Sequence, residues 1–434
     1  MTKPVFPAIH LPQLKSVKLP DFVRLRLRQP DIPALDNVGA SVAQSLAASS
    51  LFDLPEGSEI AVAVGSRGIA QIDTVTRAAV AWLKDRGFAP FIVPGMGSHG
   101  GGTAEGQRAV LAKLGVTEDE MGCEVRATMD TVQYGTLPDG TTCHFDAHAA
   151  RADGVLVINR VKAHTSFPRP IESGLTKMLA VGLGKAGGAA QVHLIGPRGF
   201  VETLPALAQK IIDSAPITAG LALVENAHKQ LSHIEAVAPK DFAETDRRLL
   251  DIAKKAMARL PFKQLDGLLI ERLGKEISGA GIDPAISGRT DIRGVDNPAT
   301  PFIHKIAVLA LTDRTNGNGI GVGMADYIPL AMANALDLQS MYMNAVTATI
   351  LEKAYIPVVL PDEITVISAL VATCWNTSAP RLCHIISSAQ LDEIAVTANL
   401  LPELEAQGVV IDHDDPMPLH FDDTGTLLNR LEYT

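Results

Sequence analysis

Short apolar runs alternate with stretches of helical spacing along the first 260 residues. EIAVAVGSRG (59–68) is a continuous apolar run closed by a glycine turn, the pattern of a strand buried on both faces. Behind it, Val75, Ala78, Ala79, Trp82 and Leu83 recur at i, i+3, i+4, i+7 and i+8. That spacing predicts one face of a helix, with Asp73 or Thr74 as its cap and Gly87 as its stop. APFIVPG (89–95) reads as a second strand and GTAEGQRAVLAKLGV (102–116) as a second helix. GVLVINR (154–160), FVETLPALAQKIIDSA (200–215) and AGLALVEN (219–226) continue the series as strand, helix and strand. Such alternation implies a largely parallel sheet with helices on its faces.

Residues 1–56, rich in proline and leucine, read as irregular or edge-like. The charged helix DFAETDRRLLDIAKKAMARL (241–260) ends before Pro261, and DGLLIERLGKEISG and HKIAVLALTDR then restart an α/β pattern. The expected fold class is therefore α/β with two α/β domains. A parallel, Rossmann-like sheet occupies residues 1–260, a second domain spans 261–400 and closes over the substrate, and an acidic tail, 401–434, packs back. The active site is expected in the interdomain cleft.

Composition narrows the function. Hydrophobic residues make up 47 % of the 434 and charged residues 20 %, which favours a large buried core over disorder. The net charge of −10, with no dense Lys/Arg block, argues against nucleic acid and anionic membranes as partners. Aromatics at 4 % offer few stacking platforms. Cys123, Cys143, Cys374 and Cys383 form no CxxC pair, so neither a common zinc motif nor a disulfide framework is expected. With no apolar run of spanning length and no cleavable leader pattern, the expected compartment is the cytoplasm.

In open α/β sheets ligands lie outside the carboxyl ends of the strands. Three expected strand ends carry reactive groups: GSRG with Ser66 and Arg67, GMGSHGGG with His99, and NRVKAHTSF with Arg160, Lys162 and His164. If these strands are neighbours, Arg67, His99 and His164 converge. GMGSHGGG contains GxGxxG at Gly95, Gly97 and Gly100, but it follows the second strand and no acidic strand end follows at dinucleotide spacing. A glycine turn requiring left-handed backbone, or a loop of bare N–H groups for a phosphate, fits the spacing equally well. Of twelve histidines, His99, His164 and His193 stand apart because each lies in a glycine-rich segment. Their chemistry allows metal ligation or general base catalysis. Lys177, in ESGLTKMLAVGLGK, is flanked by apolar and small residues; a lysine so placed either stays an ordinary helix lysine or loses its proton readily and turns nucleophilic.

Together these residues resemble the nickel-pincer lactate racemase family. The run His164, then Ser173-Gly174-Leu175-Thr176-Lys177, then His193, matches its motif, with Lys177 thirteen positions after His164 and His193 sixteen after Lys177. The first interval is longer than in the family, as though residues had been inserted around 168–170. Gly97-Ser98-His99 and Ser66-Arg67 match two further turns, and the resemblance spans roughly residues 58–200.

The resemblance implies a cofactor, a nickel-pincer nucleotide: a pyridinium-3,5-bisthiocarboxylic acid mononucleotide carrying nickel (Ni). Lys177 would tether it as a thioamide and His193 would be the nickel ligand. Ser66, Arg67, Gly97, Ser98, Gly100, Ser173 and Gly174 would contact it. The implied reaction is racemisation or epimerisation of a 2-hydroxy acid by reversible hydride transfer through a 2-keto acid. His99 and His164 would be the two general bases, and Arg67 and Lys275 would hold the substrate. The implied partners are this small molecule and the cofactor-synthesis enzymes, and a homo-oligomer is compatible with the reading.

The chain departs from the family at Val64, where an acidic residue is usual, and in the second domain. There GKEISGAGIDPAISGR (274–289) and DRTNGNGIGVGMADY (313–327) replace the usual substrate contacts. Lys275, Glu276, Asp283 and Arg289, or Asn316, Asn318 and Asp326, either face substrate or cap glycine-rich turns. Two other classes compete: a zinc-dependent hydrolase or lyase using His99, His164 and His193, and a non-catalytic nucleotide-binding protein.

Overall fold

The computed structural model describes residues 5–48, 52–65, 68–164, 169–196, 199–376 and 378–431, without the side chains of His193, Leu194 and Phe200. In chain order the strands are β1 (Phe22–Leu27), β2 (Glu59–Val64), β3 (Ala89–Pro94), β4 (Thr131–Thr136), β5 (Thr142–Asp146), β6 (Gly154–Arg160), β7 (Ile217–Glu225) and β8 (Leu231–Val237). Then follow β9 (Gln264–Leu273), β10 (Phe302–Leu311), β11 (Tyr327–Pro329), β12 (Val358–Leu360), β13 (Leu382–Ser387), β14 (Gln390–Thr397) and β15 (Val410–His413). The chain divides into two compact units.

The first unit comprises Pro30–His164 and Pro168–Met257. Its helices are α1 (Val38–Ala47), α2 (Ile72–Lys84), α3 (Ala104–Lys113), α4 (Glu118–Met121), α5 (Leu175–Lys177), α6 (Lys185–Leu194), α7 (Leu204–Ser214) and α8 (Phe242–Ala256). Its five-stranded sheet has the order β3-β2-β6-β7-β8. The first four strands are parallel, and β8 returns antiparallel to β7.

The continuous apolar run of β2 is explained by its place: Ile60 to Val64 are wholly buried, with strands on both sides and helices on both faces. Ile60, Val62 and Val64 join Leu156, Ile158, Leu221 and the buried faces of α1 and α2 in one core. Residues of opposite parity serve the other face. There Gly220 leaves room for Leu175 of α5 and Phe242 of α8; a Cβ at residue 220 would lie 2.5 Å from Leu175.

Several expectations need correction. Helix α2 starts at Ile72, two or three residues earlier than a cap at Asp73 or Thr74 would place it, after Gln71 in left-handed backbone. The described residues of 1–56 are not irregular throughout: they include β1 and α1, whose cap is Asn37 accepting from the Ala40 N–H. The β4–β5 hairpin went unforeseen because its exposed, mixed pattern lacks a clean period of two.

The second unit comprises Met1–Gln29 and Ala258–Thr434. Its sheet runs β12-β11-β10-β9-β13-β14-β1-β15. Strands from β12 through β13 are parallel, and those from β13 through β15 antiparallel. Residues 1–29 therefore do not belong with the first domain, because β1 hydrogen-bonds between β14 and β15. Residues 401–431 are part of this second unit: β15 lies in its sheet, and the Leu431 N–H is bound by buried Glu271 at 2.7 Å.

Candidate functional site

Strands β3, β2 and β6 are adjacent and parallel, so the turns after them emerge at one edge of the first unit's sheet. From β2 the chain leads through α2 to β3 on one side, and from β6 it leads to β7 on the other. Such opposed departures create the crevice where open α/β sheets place ligands. His99 lies on the turn after β3 and His164 on the segment after β6. Ser66 and Arg67, on the turn after β2, lie outside the described residues.

The turn after β3 is built from backbone. Gly97 has φ 57° and its N–H donates to the Gly182 carbonyl at 2.9 Å. Gly100, Gly101 and Gly102 all have φ between 66° and 69°, a left-handed run that side-chain-bearing residues disfavour. On their Cβ sides Gly97 packs against the Val181 carbonyl and Gly100 against the backbone of Gly106 and Gln107, whereas Gly101 and Gly102 face open space. Ser98 and His99 are exposed at the head of the loop. Thr103 ends it by capping α3, its Oγ1 accepting from the Gly106 N–H at 3.1 Å.

The segment after β6 is tied down by Glu172, which sequence reasoning passed over, and by Ser173 and Arg160. Buried Glu172 accepts from the backbone N–H groups of His164 (2.5 Å) and Arg169 (3.2 Å) and from the Lys254 ammonium (2.6 Å). Burial pulls the pKa of Arg169 down to about 10, against the attraction of Glu172. The Ser173 hydroxyl accepts from the Lys162 N–H (2.6 Å) and donates to the Lys162 carbonyl (2.7 Å), so it fastens the loop to the strand end. Arg160 forms an ion pair with Glu225 on β7, and Glu225 also accepts from the Ala70 N–H at 2.7 Å, which anchors the turn after β2.

Lys177 ends a short helical turn whose start is set by Asp246 of α8. The Asp246 carboxylate accepts from the N–H groups of Leu175 (2.9 Å) and Thr176 (2.8 Å), two donors that a helix start leaves unpaired. Burial pushes its pKa up to about 6, against the pull of these hydrogen bonds. Gly174 has φ 97°, and Asn159 at the end of β6 donates to its carbonyl at 2.7 Å.

Beyond Lys177 the helix widens to i→i+5 hydrogen bonds over Met178–Gly182, with the Leu183 N–H reaching the Met178 carbonyl at 2.8 Å. The Met178 thioether fills the notch left by glycines: a Cβ at residue 95 or 182 would lie 2.5 Å from its sulfur. Lys177, itself half-buried, thus directly precedes a methionine packed against Gly65 at the end of β2 and Gly95 at the end of β3.

Lys185, eight residues further on, is only 1 % exposed and pairs with fully buried Asp146 at 2.8 Å. Its ammonium also donates to the Pro94 carbonyl (2.7 Å) and to Gln107 Oε1 (3.3 Å). Burial lowers the Lys185 pKa, and the Asp146 charge opposes that shift. Neither Asp146 nor Gln107 carries a local sequence signal; the lysine set among glycines was the available clue. His193 lies on α6, and its side chain is outside the description. Among the described residues no group of three or more His, Cys, Asp or Glu side chains could hold a metal ion.

The second unit's candidates act as caps and ties. Asp283 caps a turn by accepting from the Ala285 N–H, and Asn318 accepts from the Ile320 N–H. Asn316 takes a left-handed φ of 49°. Arg289 pairs with Asp326 at 2.8 Å and donates to the carbonyls of Met324, Ile303 and His304. The exposed Lys275 ammonium hydrogen-bonds Asn344. Glu276 is exposed on the same turn.

No family model and no curated protein matches the chain. Solved structures that resemble it include a protein from Thermotoga maritima, at TM-score 0.48 and 13 % identity, covering 65 % of this chain and 72 % of that one. Another is the lactate racemase apoprotein from Thermoanaerobacterium thermosaccharolyticum, at TM-score 0.46 and 13 % identity, covering 85 % and 89 %. No helix among the described residues is long and apolar enough to cross a membrane.

Proposed function

We propose that the protein is a racemase or epimerase of a 2-hydroxy acid that works with a nickel-pincer nucleotide tethered to Lys177. The observation that carries the reading is local. The Ser-Gly-x-x-Lys motif, the His99 turn and the His164 segment are bound to one another at the end of three adjacent parallel strands, through Ser173 to Lys162, Asn159 to Gly174 and Gly97 to Gly182. The surroundings suit a flat, phosphate-bearing group. Gly101 and Gly102 leave open space on a left-handed backbone, and Lys177 is held at a helix start.

In this reading Lys177 and His193 would hold the cofactor, whose electron-poor ring and nickel supply a hydride acceptor. The chain's own residues manage protons. A 2-hydroxy acid that loses hydride from Cα must lose its hydroxyl proton as well, so a base is needed within hydrogen-bond reach. His99 and His164, on turns after β3 and β6, would each take that proton at a ring nitrogen for one enantiomer and return it for the other. Serine 173 and Gly174 then act by shaping the backbone that presents Lys177. Arg67 would bind the carboxylate through two parallel N–H donors.

The test is intact mass and nickel analysis of protein produced together with the cofactor-synthesis enzymes. An adduct of a few hundred daltons, on the order expected for a mononucleotide, mapped to Lys177 and lost in Lys177→Arg, supports the reading. Unmodified Lys177 in nickel-free protein under the same conditions overturns it.

A further inference from the structure

We propose that Gln107 and Lys185 are positioning residues that fix the His99 loop against the helix carrying His193. The inference rests on the reading of His99 as a general base, but its structural half stands on geometry alone. The Lys185 ammonium has three donors, and three acceptors surround it: Asp146, the Pro94 carbonyl at the end of β3, and Gln107 Oε1. Since Oε1 of Gln107 faces the ammonium, its amide nitrogen must face the other way. There Nε2 donates to the Gly97 carbonyl (2.8 Å) and the His99 carbonyl (3.4 Å).

The charge at Lys185 therefore decides which way the Gln107 amide points, and that amide holds both ends of the Gly97-Ser98-His99 turn. Asp146 completes the relay: one carboxylate oxygen pairs with Lys185, while the other accepts from the N–H groups of His148 and Ala149 (2.8 and 2.9 Å).

The arrangement is costly for a device that only fills space. Burying an ammonium and a carboxylate strips both of water, and well-packed apolar residues often serve stability as well or better. Lys185 also begins α6 in left-handed backbone, φ 54°, a conformation unfavourable for a lysine. What a charged pair with a glutamine supplies, and an apolar pair does not, is a directed hydrogen bond to the loop. Because Lys185 opens α6, the relay joins the His99 turn to the same helix as His193.

Gln107→Glu separates the brace from simple packing, since glutamate keeps the size and the contact with Lys185 but presents no donor to the loop carbonyls. Hydrogen–deuterium exchange on unloaded protein should show the amides of 97–102 exchanging about tenfold faster in Gln107→Glu and in Gln107→Leu, the effect of losing one hydrogen bond. Exchange in β2 and α2 should stay unchanged. Lys185→Met should do the same. In cofactor-loaded protein, kcat should fall with KM little moved, as expected for a displaced base. Unchanged loop exchange in all three variants, or faster exchange only in step with the whole unit, overturns the proposal. If wild-type protein racemises no 2-hydroxy acid, the functional reading fails, while the exchange measurement still decides the brace.

Discussion

The carboxylate of Asp246 occupies the space beside residue 174 that any side chain would need: a Cβ built there would lie 2.1 Å from Asp246 Oδ1. Gly174 thus lets a buried acid approach the helix start that carries Lys177. Gly174→Ala faces this clash together with the strain of φ 97°. We expect it to lower unfolding free energy by roughly 2–4 kcal/mol and to reduce modification of Lys177 in the co-production experiment. Urea titration and intact mass check the two effects separately.

Asp246 also predicts a pH dependence. Its folded pKa of about 6 is raised above its ordinary value, so the folded state holds this proton more tightly than the unfolded chain does. The resulting stabilisation is fully present below about pH 4 and is lost as pH rises through 6, a swing of about 3 kcal/mol. Asp246→Asn removes the titration but also loses one acceptor. The stability of wild type minus that of the variant should therefore fall across this window. A difference that stays flat from pH 4 to 7 would show that Asp246 does not titrate there.

The second unit titrates in the opposite sense. Glu271 is fully buried, which by itself would raise its pKa, but the hydrogen bond and charge of His384, the Leu431 N–H and the Arg430 charge outweigh burial and lower it. A depressed carboxylate stabilises above its unfolded pKa and is lost as pH falls through the folded one. Glu271→Gln should cost roughly 2–4 kcal/mol at pH 7, and this difference should shrink as the solution is acidified below about pH 4. In Glu271→Leu, which has no acceptor for the Leu431 N–H, carboxypeptidase digestion should also release the C-terminal residues faster at pH 7.

Much of the first unit was legible because its strands are buried on both faces. A run such as Ile60–Val64 has no competing pattern, and the strand β6 falls on the residues its apolar run predicted. Boundaries were less legible. Gln71 precedes α2 although no propensity favours it, and the half-exposed β4–β5 hairpin has no period to detect. The candidate site divides in the same way. His99, His164 and Lys177 drew notice as reactive groups among glycines, whereas Asp246 sits on a helix rich in charges, where any acid reads as solvated. Glu172 and Gln107 likewise look like ordinary helix or loop polar residues.

By itself the sequence determined the α/β class, the three strand ends that carry reactive groups and the spacing that links Lys177 to His164 and His193. Those are properties of near neighbours: periodicity, turn chemistry and motif distance. Tertiary structure alone decided that β1 joins the sheet of the second unit, between β14 and β15. It also decided that Asp246, about seventy positions on, starts the Lys177 helix, and that Lys185 reaches Asp146 and Gln107. The physical reason is that a buried charge is tolerated only where the folded chain supplies its partners, and those partners come from segments whose meeting no local pattern encodes.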